Sequence, residues 1–385
     1  MTPPRIGILP SGPRDAISDV GKIRVGHLTL DRGAVQTGVT VVVPHDGDPF
    51  IDKVPAAAAV INGFGKSAGL LQLRELGVLE TPIALSNTFA VGTLTQAQIR
   101  AAMASHAPLG REWPTVNPLV CECNDGYLND IRALAVTEEH YRIALEAASA
   151  GFAQGSVGAG RGMSAFELKG GIGSASRQAD GYTVGALVLA NFGKLGMLTL
   201  AGYPLGRKLA AADGPEETEN PPAGAARAAA AEPGRLHALR SPRALTPDPS
   251  GDDPAPERPE QGSIIMLLAT DAPLDARQLR RLALRAGAGL ARTGSVFGHG
   301  SGDIALAFST AYTVPHLPDR PMPALAMRHE ARLDPLFLAA ADATEQAIIH
   351  ALWHARPVRG RDGHARRALR DILRRLSDEE NPCAS

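Results

Sequence analysis

The 385-residue chain carries a formal charge of −1 and has no cluster of lysines and arginines interleaved with aromatic rings, which excludes the electrostatic footprint of a nucleic-acid binder. Hydrophobic residues make up 44% of it and aromatics only 4%, so its core must be built from Ala, Val, Leu and Ile, with 41 glycines permitting close backbone approach. Three cysteines, Cys121, Cys123 and Cys383, lack CxxC spacing and exclude a disulfide framework or a structural metal, and no stretch reaches the roughly 18 apolar residues of a membrane span.

In chain order, no charged n-region followed by an apolar h-region opens the sequence, so the expected location is the cytoplasm. Residues 22–43 alternate short β-branched runs with Gly and Asp turn signals and predict a hairpin or meander. Helices are predicted near 95–103 and 138–150, with a short strand between them running into a turn at Asn124 to Gly126. A glycine-dense stretch then leads to two apolar strands, "YTVGALVLANFG" and "GMLTLAGYPLG". Residues 208–261 are too rich in proline and charge for regular structure and predict a disordered linker.

The apolar run "SIIMLLAT" follows that segment without transition and predicts a buried strand from Ser263. A helix capped by Asp275 and stopped by Gly287 or Gly289, a strand "IALAFST", and a helix near 333–353 come next. The basic run "RPVRGRDGHARRALRDILRRL" reads as a solvated helix face or tail over 356–385. Strands and helices mix throughout, which places the chain in the α/β or α+β class, with sheets covered by helices.

Several motifs lead nowhere. "GFGKSAG" holds the GKS of a phosphate loop but has Val60 where its first glycine is required, "GAGRG" lacks dinucleotide-binding spacing, and His350 and His354 lack the Glu of a zinc HExxH motif. Three clusters remain. A chain cut between Gly262 and Ser263 would begin with a serine carrying both a hydroxyl and an α-amine, a self-contained nucleophile and base, since an α-amine has a pKa of about 7.7 to 8.0. Glycine at 262 can take strained torsions and leaves its carbonyl open to the Ser263 Oγ, although a plain Gly-Ser strand entry has the same residues. Ser301 and Asp303 stand two apart at a strand entrance and share one face, where the acid can orient the hydroxyl or hold a protonated amine; a glycine-rich turn is the competing explanation. Finally, "CECNDGYLND" crowds Glu122, Asn124, Asp125, Tyr127, Asn129 and Asp130 after an apolar strand, a frequent place for sites in α/β proteins and also for simple Asx turns.

Taken together, "NGFGKSAGL", "LETPIALSNTFAVGT", "NDGYLNDI", "GSVGAGRGM", "KGGIGSASR", "VLANFG", "GSIIMLLATDAPL" and "GSGDIALAFST" resemble, in order and over 17–207 and 262–353, the L-aminopeptidase/D-esterases and β-peptidyl aminopeptidases of peptidase family S58, which are self-processing N-terminal serine hydrolases. The resemblance implies a four-layer αββα sandwich similar to the N-terminal nucleophile hydrolases with its own connectivity. It also implies cleavage at Gly262-Ser263 into segments 1–262 and 263–385 of one hydrolase domain, assembled as αβ heterodimers and then (αβ)4. By motif, Ser263 matches the nucleophile, Ser301 and Asp303 the pair assisting it, Asn191 the oxyanion amide and Tyr127 a tyrosine near the reacting centre, with Glu122 the candidate for the substrate ammonium. Phe166 in "MSAFELKGG" stands where a tyrosine would not surprise, which bears on pocket shape.

The expected activity is release of an N-terminal β-, L- or D-residue from short peptides, amides or esters with a free amine, without cofactor or metal and with no nucleic-acid or membrane partner. Aminoacyl transfer from the same acyl-enzyme, or an uncleaved non-enzymatic scaffold, are the alternatives.

Overall fold

The computed structural model describes residues 2–212 and 262–380. At its centre runs β11 (Ser263–Thr270), whose eight residues are all buried, so that both of its faces require a covering layer. Ile264, Met266 and Leu268 enter one apolar cluster while Ile265, Leu267 and Ala269 enter another, as the period of two along an extended chain dictates. With β3 (Asp52–Gly63), β9 (Gly171–Ala179), β10 (Tyr182–Asn191), β12 (Gly302–Ser309) and the short β13 (Val314–Pro315), this strand forms a sheet in the order β13-β3-β12-β11-β10-β9. The two-residue β4 (Val78–Leu79) pairs with β3 beside α1 (Leu70–Leu76). A second sheet joins β1 (Arg24–Arg32), β2 (Val35–Val43), β5 (Ile83–Asn87) and β6 (Leu119–Cys123) in the order β1-β2-β5-β6.

The apolar clusters set the layers. Val42, Leu85 and Cys121 of the smaller sheet meet Leu187, Leu267 and Leu306 of the larger one face to face. On the far side of the smaller sheet, Val39, Val41 and Val120 pack with Leu94 of α2 (Val91–Ser105) and with Tyr141 and Ala144 of α3 (Glu138–Glu146). Beyond the larger sheet, Val188, Ile264 and Met266 pack with Leu279 and Leu282 of α5 (Ala276–Arg292) and with Ala347 of α6 (Asp334–Trp353). The stack is helix, sheet, sheet, helix, the αββα arrangement expected. Its core is aliphatic, as the scarcity of rings requires.

Local signals account for several boundaries. Asp275 caps α5 by accepting from Gln278 N at 2.7 Å, and Gln278 Oε1 accepts in return from Asp275 N at 3.3 Å. The helix runs through Gly287 and Gly289 to Arg292 and ends before Gly294, whose φ of 103° suits only glycine. Residues 196–206 do not form the strand that their apolar content suggests. Ala201 and Gly202 take positive φ, which bends the chain back so that Leu200 bridges Tyr203, and α4 (Leu205–Ala212) starts at once. That helix puts regular structure into the first residues of the segment read as linker; residues 213–261 lie outside those described.

The basic C-terminal segment differs most from expectation. Val358 and Leu369 are buried, β14 (Val358–Arg359) and β15 (Ala365–Arg366) make a small hairpin, and α7 (Leu369–Glu380) contributes Leu369 and Ile372 to the core. Its arginines project from a segment anchored by the apolar residues between them. No described helix is long and apolar enough to cross a membrane.

Candidate active site

Three strand ends converge on Ser263. In register it lies opposite Asn191, the last residue of β10, and opposite Gly302, the first of β12. In the intact chain its Oγ donates to the Gly262 carbonyl oxygen at 2.6 Å, and the Gly302 N–H lies 3.2 Å from both that oxygen and the Oγ. One backbone donor therefore touches the nucleophile candidate and the carbonyl it would attack. Residue 302 has to be glycine: a Cβ there would lie 2.8 Å from Phe64 O and 3.1 Å from Ser263 Oγ. Gly262 is also required for space, since its Cβ would lie 2.8 Å from Phe192 Cα; it is not among the residues with positive φ, so the strained torsion expected of it is not its reason.

Ser301 and Asp303 flank Gly302 and are both buried, with Ser301 Oγ donating to Asp303 Oδ1 at 2.6 Å. The preceding loop is shaped by Asn62, a residue the sequence did not single out, whose Nδ2 donates to the carbonyls of Ser301 at 2.5 Å and Gly298 at 2.8 Å. Across the site the Asn191 amide is fixed at both ends: Oδ1 accepts from Ser164 N at 2.8 Å and Nδ2 donates to Asn124 O at 3.0 Å.

Ser263 opens into a pocket of about 880 Å³, within the usual range for small-ligand sites. Glu122, at the end of β6, lines it and is nearly buried; Oε1 accepts from Lys66 N at 2.7 Å and Oε2 from the Thr88 hydroxyl. Thus the stretch rejected as a phosphate loop supplies a wall of the pocket through Phe64 and Lys66. Tyr127 also lines it, stacked on His364 at 4.7 Å between ring centres, while its hydroxyl accepts from Arg366 Nη1 at 3.0 Å. Arg361 and His364 of the C-terminal segment also line the pocket, so part of the supposed tail belongs to the site. Phe166 is fully buried against Phe192 at 5.0 Å and does not face the pocket.

Two titratable groups close to Asn124 and Asn191 are also buried, Asp125 and Lys169. The β-turn between β7 (Ser164–Ala165) and β8 (Leu168–Lys169) ends at Lys169, whose Nζ donates to the carbonyls of Gly160 at 2.8 Å, Met163 at 2.7 Å and Gly170 at 2.8 Å. Burial pushes this ammonium well below its ordinary value, but three carbonyls match its three N–H donors and oppose the shift. The result is a braced loop that presents Ser164 N to Asn191. On the other side of Asn124, burial lifts the Asp125 carboxyl to about 7, against hydrogen bonds from Thr37 and Asn129.

That shift has a testable sign. From its ordinary 3.8 up to about 7, the folded chain keeps a proton on Asp125 that the unfolded chain has lost. The stability contributed by protonated Asp125 is full below the unfolded value and is lost as pH rises through the folded one. Thermal midpoints measured from about pH 5 to 8 are expected to fall for the wild type, and Asp125→Asn is expected to flatten that slope. A parallel decline in the variant would assign the slope to other groups.

Among the described residues no group of three or more His, Cys, Asp or Glu side chains could hold a metal ion. Residues 15–366 match the model of peptidase family S58. The chain is 36% identical over 367 residues to the β-peptidyl aminopeptidase BapA of Sphingosinicella microcystinivorans, a match covering 92% of this chain and 85% of that protein. Among solved structures, a Pyrococcus horikoshii protein superposes with a TM-score of 0.81 at 43% identity, covering 98% of this chain and 97% of the other. The L-aminopeptidase D-Ala-esterase/amidase of Ochrobactrum anthropi, a prototype for the serine aminopeptidases and a variant of the Ntn hydrolase fold, does so with a TM-score of 0.78 at 32% identity over 97% of each chain. With a serine at the head of a central strand, a pocket before it and relatives of this kind along nearly its whole length, the chain belongs to peptidase family S58 and is an aminopeptidase.

Proposed function

We propose that the chain cuts itself between Gly262 and Ser263 and then removes N-terminal residues from short peptides, amides or esters through an acyl-enzyme on Ser263. In self-cleavage Ser263 Oγ attacks the Gly262 carbonyl carbon, the hydroxyl proton passes to the departing amide nitrogen, and an ester joins Gly262 to the Oγ. Water hydrolyses that ester, leaving a Gly262 carboxylate and a free Ser263 α-amine. The Gly302 N–H, 3.2 Å from the Gly262 oxygen, is the donor placed for the developing oxyanion.

In turnover the α-amine takes the Oγ proton as the Oγ attacks the first carbonyl of the substrate, and hands it to the departing amine. One N–H of the Asn191 amide serves Asn124; its second N–H and Gly302 N–H serve the oxyanion. Glu122 holds the substrate ammonium, and the Ser301–Asp303 pair steadies the new α-amine beside Gly302. Tyr127, clasped by His364 and Arg366, shapes the wall.

The observation that carries this reading is the Ser263 hydroxyl, 2.6 Å from the carbonyl oxygen of its own preceding residue and open to a pocket that, among the described residues, is lined by one carboxylate, Glu122. Intact mass under denaturing conditions tests it. Two species, one beginning at Ser263, are expected; a single 40.2 kDa species after long incubation would remove the basis of the mechanism.

A further inference from the structure

We infer that Arg361 recognises a free carboxylate on the leaving side of the substrate, so that the pocket selects short peptides ending in an acid over the same peptides ending in an amide. This rests on the aminopeptidase reading of Ser263. Arg361 lines the same pocket as Glu122 and Ser263. It is held there from two directions: its backbone N–H donates to Leu128 O at 2.9 Å, and its Nε donates to Gly126 O at 2.6 Å. The backbone contact is possible because residue 360 is glycine; a Cβ there would lie 1.8 Å from Leu128 O.

These bonds set the guanidinium but do not exhaust it. Nη1 pairs with Asp362 Oδ2 at 2.6 Å, a carboxylate whose side chain is 69% exposed and whose hold is therefore weak, and Nη2 has no partner among the described residues. A planar guanidinium with open N–H groups suits a carboxylate, which it can grip with two parallel bonds.

The position along the pocket supplies the polarity. Glu122 and Gly126 are four residues apart on one stretch of chain, so their Cα atoms lie within about 14 Å of each other. Glu122 stands at one end of that stretch and Arg361 is bonded to the other, with Asn124, which accepts from Asn191, between them in sequence. An extended peptide of two or three residues, at about 3.5 Å per residue, is about 7 to 10 Å long and fits within that limit. With its ammonium at Glu122 and its first carbonyl at Ser263, its terminal carboxylate reaches toward Arg361. An amide in that place has one oxygen and no charge to offer.

The probes are β-alanyl-L-alanine with a free carboxylate and its C-terminal amide, each assayed for kcat/KM with the self-cut wild type, Arg361→Gln and Arg361→Lys. The wild type is expected to prefer the acid. Arg361→Gln is expected to lower the acid-to-amide ratio about ten-fold, the worth of one charge-assisted hydrogen bond, with Arg361→Lys between. Because both probes are assayed on one preparation, the ratio does not depend on how much of a variant folds or cuts. A wild type without preference for the acid, or a ratio unchanged in Arg361→Gln because both rates fall together, would overturn the inference while leaving the aminopeptidase reading intact. Turnover of neither probe, nor of other β-aminoacyl amides, by the self-cut wild type would overturn both.

Discussion

Ser263→Ala is expected to yield one uncut 40.2 kDa chain whose turnover of aminoacyl amides is lower by at least about 10⁴-fold, since the proposed mechanism assigns both reactions to a single hydroxyl. The variant should fold, because β11 is paired to β10 and β12 along its length and Ser263 contributes no apolar packing that alanine lacks. Retained thermal unfolding would show that the loss is chemical. Denaturing mass spectrometry sampled over days separates self-cleavage from cutting by a contaminating protease, which needs no Oγ. Cleavage at the same bond in Ser263→Ala would refute attack by this hydroxyl. An uncut chain that still turns over substrate would move the nucleophile elsewhere.

The start of β11 was legible because two independent signals coincide there: composition changes abruptly at Gly262, and the following residues are apolar at both parities, which only a strand covered on both faces explains. Asp275 was legible as a cap because capping is local chemistry, and Ser301 and Asp303 were legible as neighbours because they stand two apart where β12 begins, although the turn preceding the strand was an equal reading. What escaped was decided by tertiary contact. Arg361 and His364 sit in a run of arginines whose ordinary fate is a solvated face, and only the apolar residues Val358 and Leu369 beneath it draw it across the loop at Gly126 and Tyr127. Lys169 gave no sign of burial, because its compensation is three backbone carbonyls and carbonyls carry no sequence signature. Residues 196–206 misled for a related reason: apolar content there packs onto the core through turns that a pattern of residue types does not reveal.

The second large effect is expected at Glu122. Glutamine keeps the shape of the side chain and both of its contacts, since its Oε1 can accept from Lys66 N and the Thr88 hydroxyl can turn to accept from its Nε2. What it removes is the charge. An ionised carboxylate has about four lone-pair positions, two of which are taken by Lys66 and Thr88, and under the proposed mechanism the others receive the substrate ammonium. Glu122→Gln is expected to lower kcat/KM for β-alanyl amides about 100-fold, equivalent to about 2.7 kcal/mol at 1.4 kcal/mol per ten-fold. The loss should fall mainly on KM, because the ammonium is charged in the ground state and the transition state alike and its binding is uniform. The margin by which the enzyme prefers a free amine over an N-acetylated amine should shrink in proportion. Self-cleavage sets the control: the amine of Gly262 is tied up in the chain, so no ammonium exists for Glu122 to hold, and the variant should still cut itself. A variant that fails to cut would give Glu122 a structural role in seating Lys66 and Thr88, and a fall confined to kcat would place its charge on the reacting carbonyl instead of the amine.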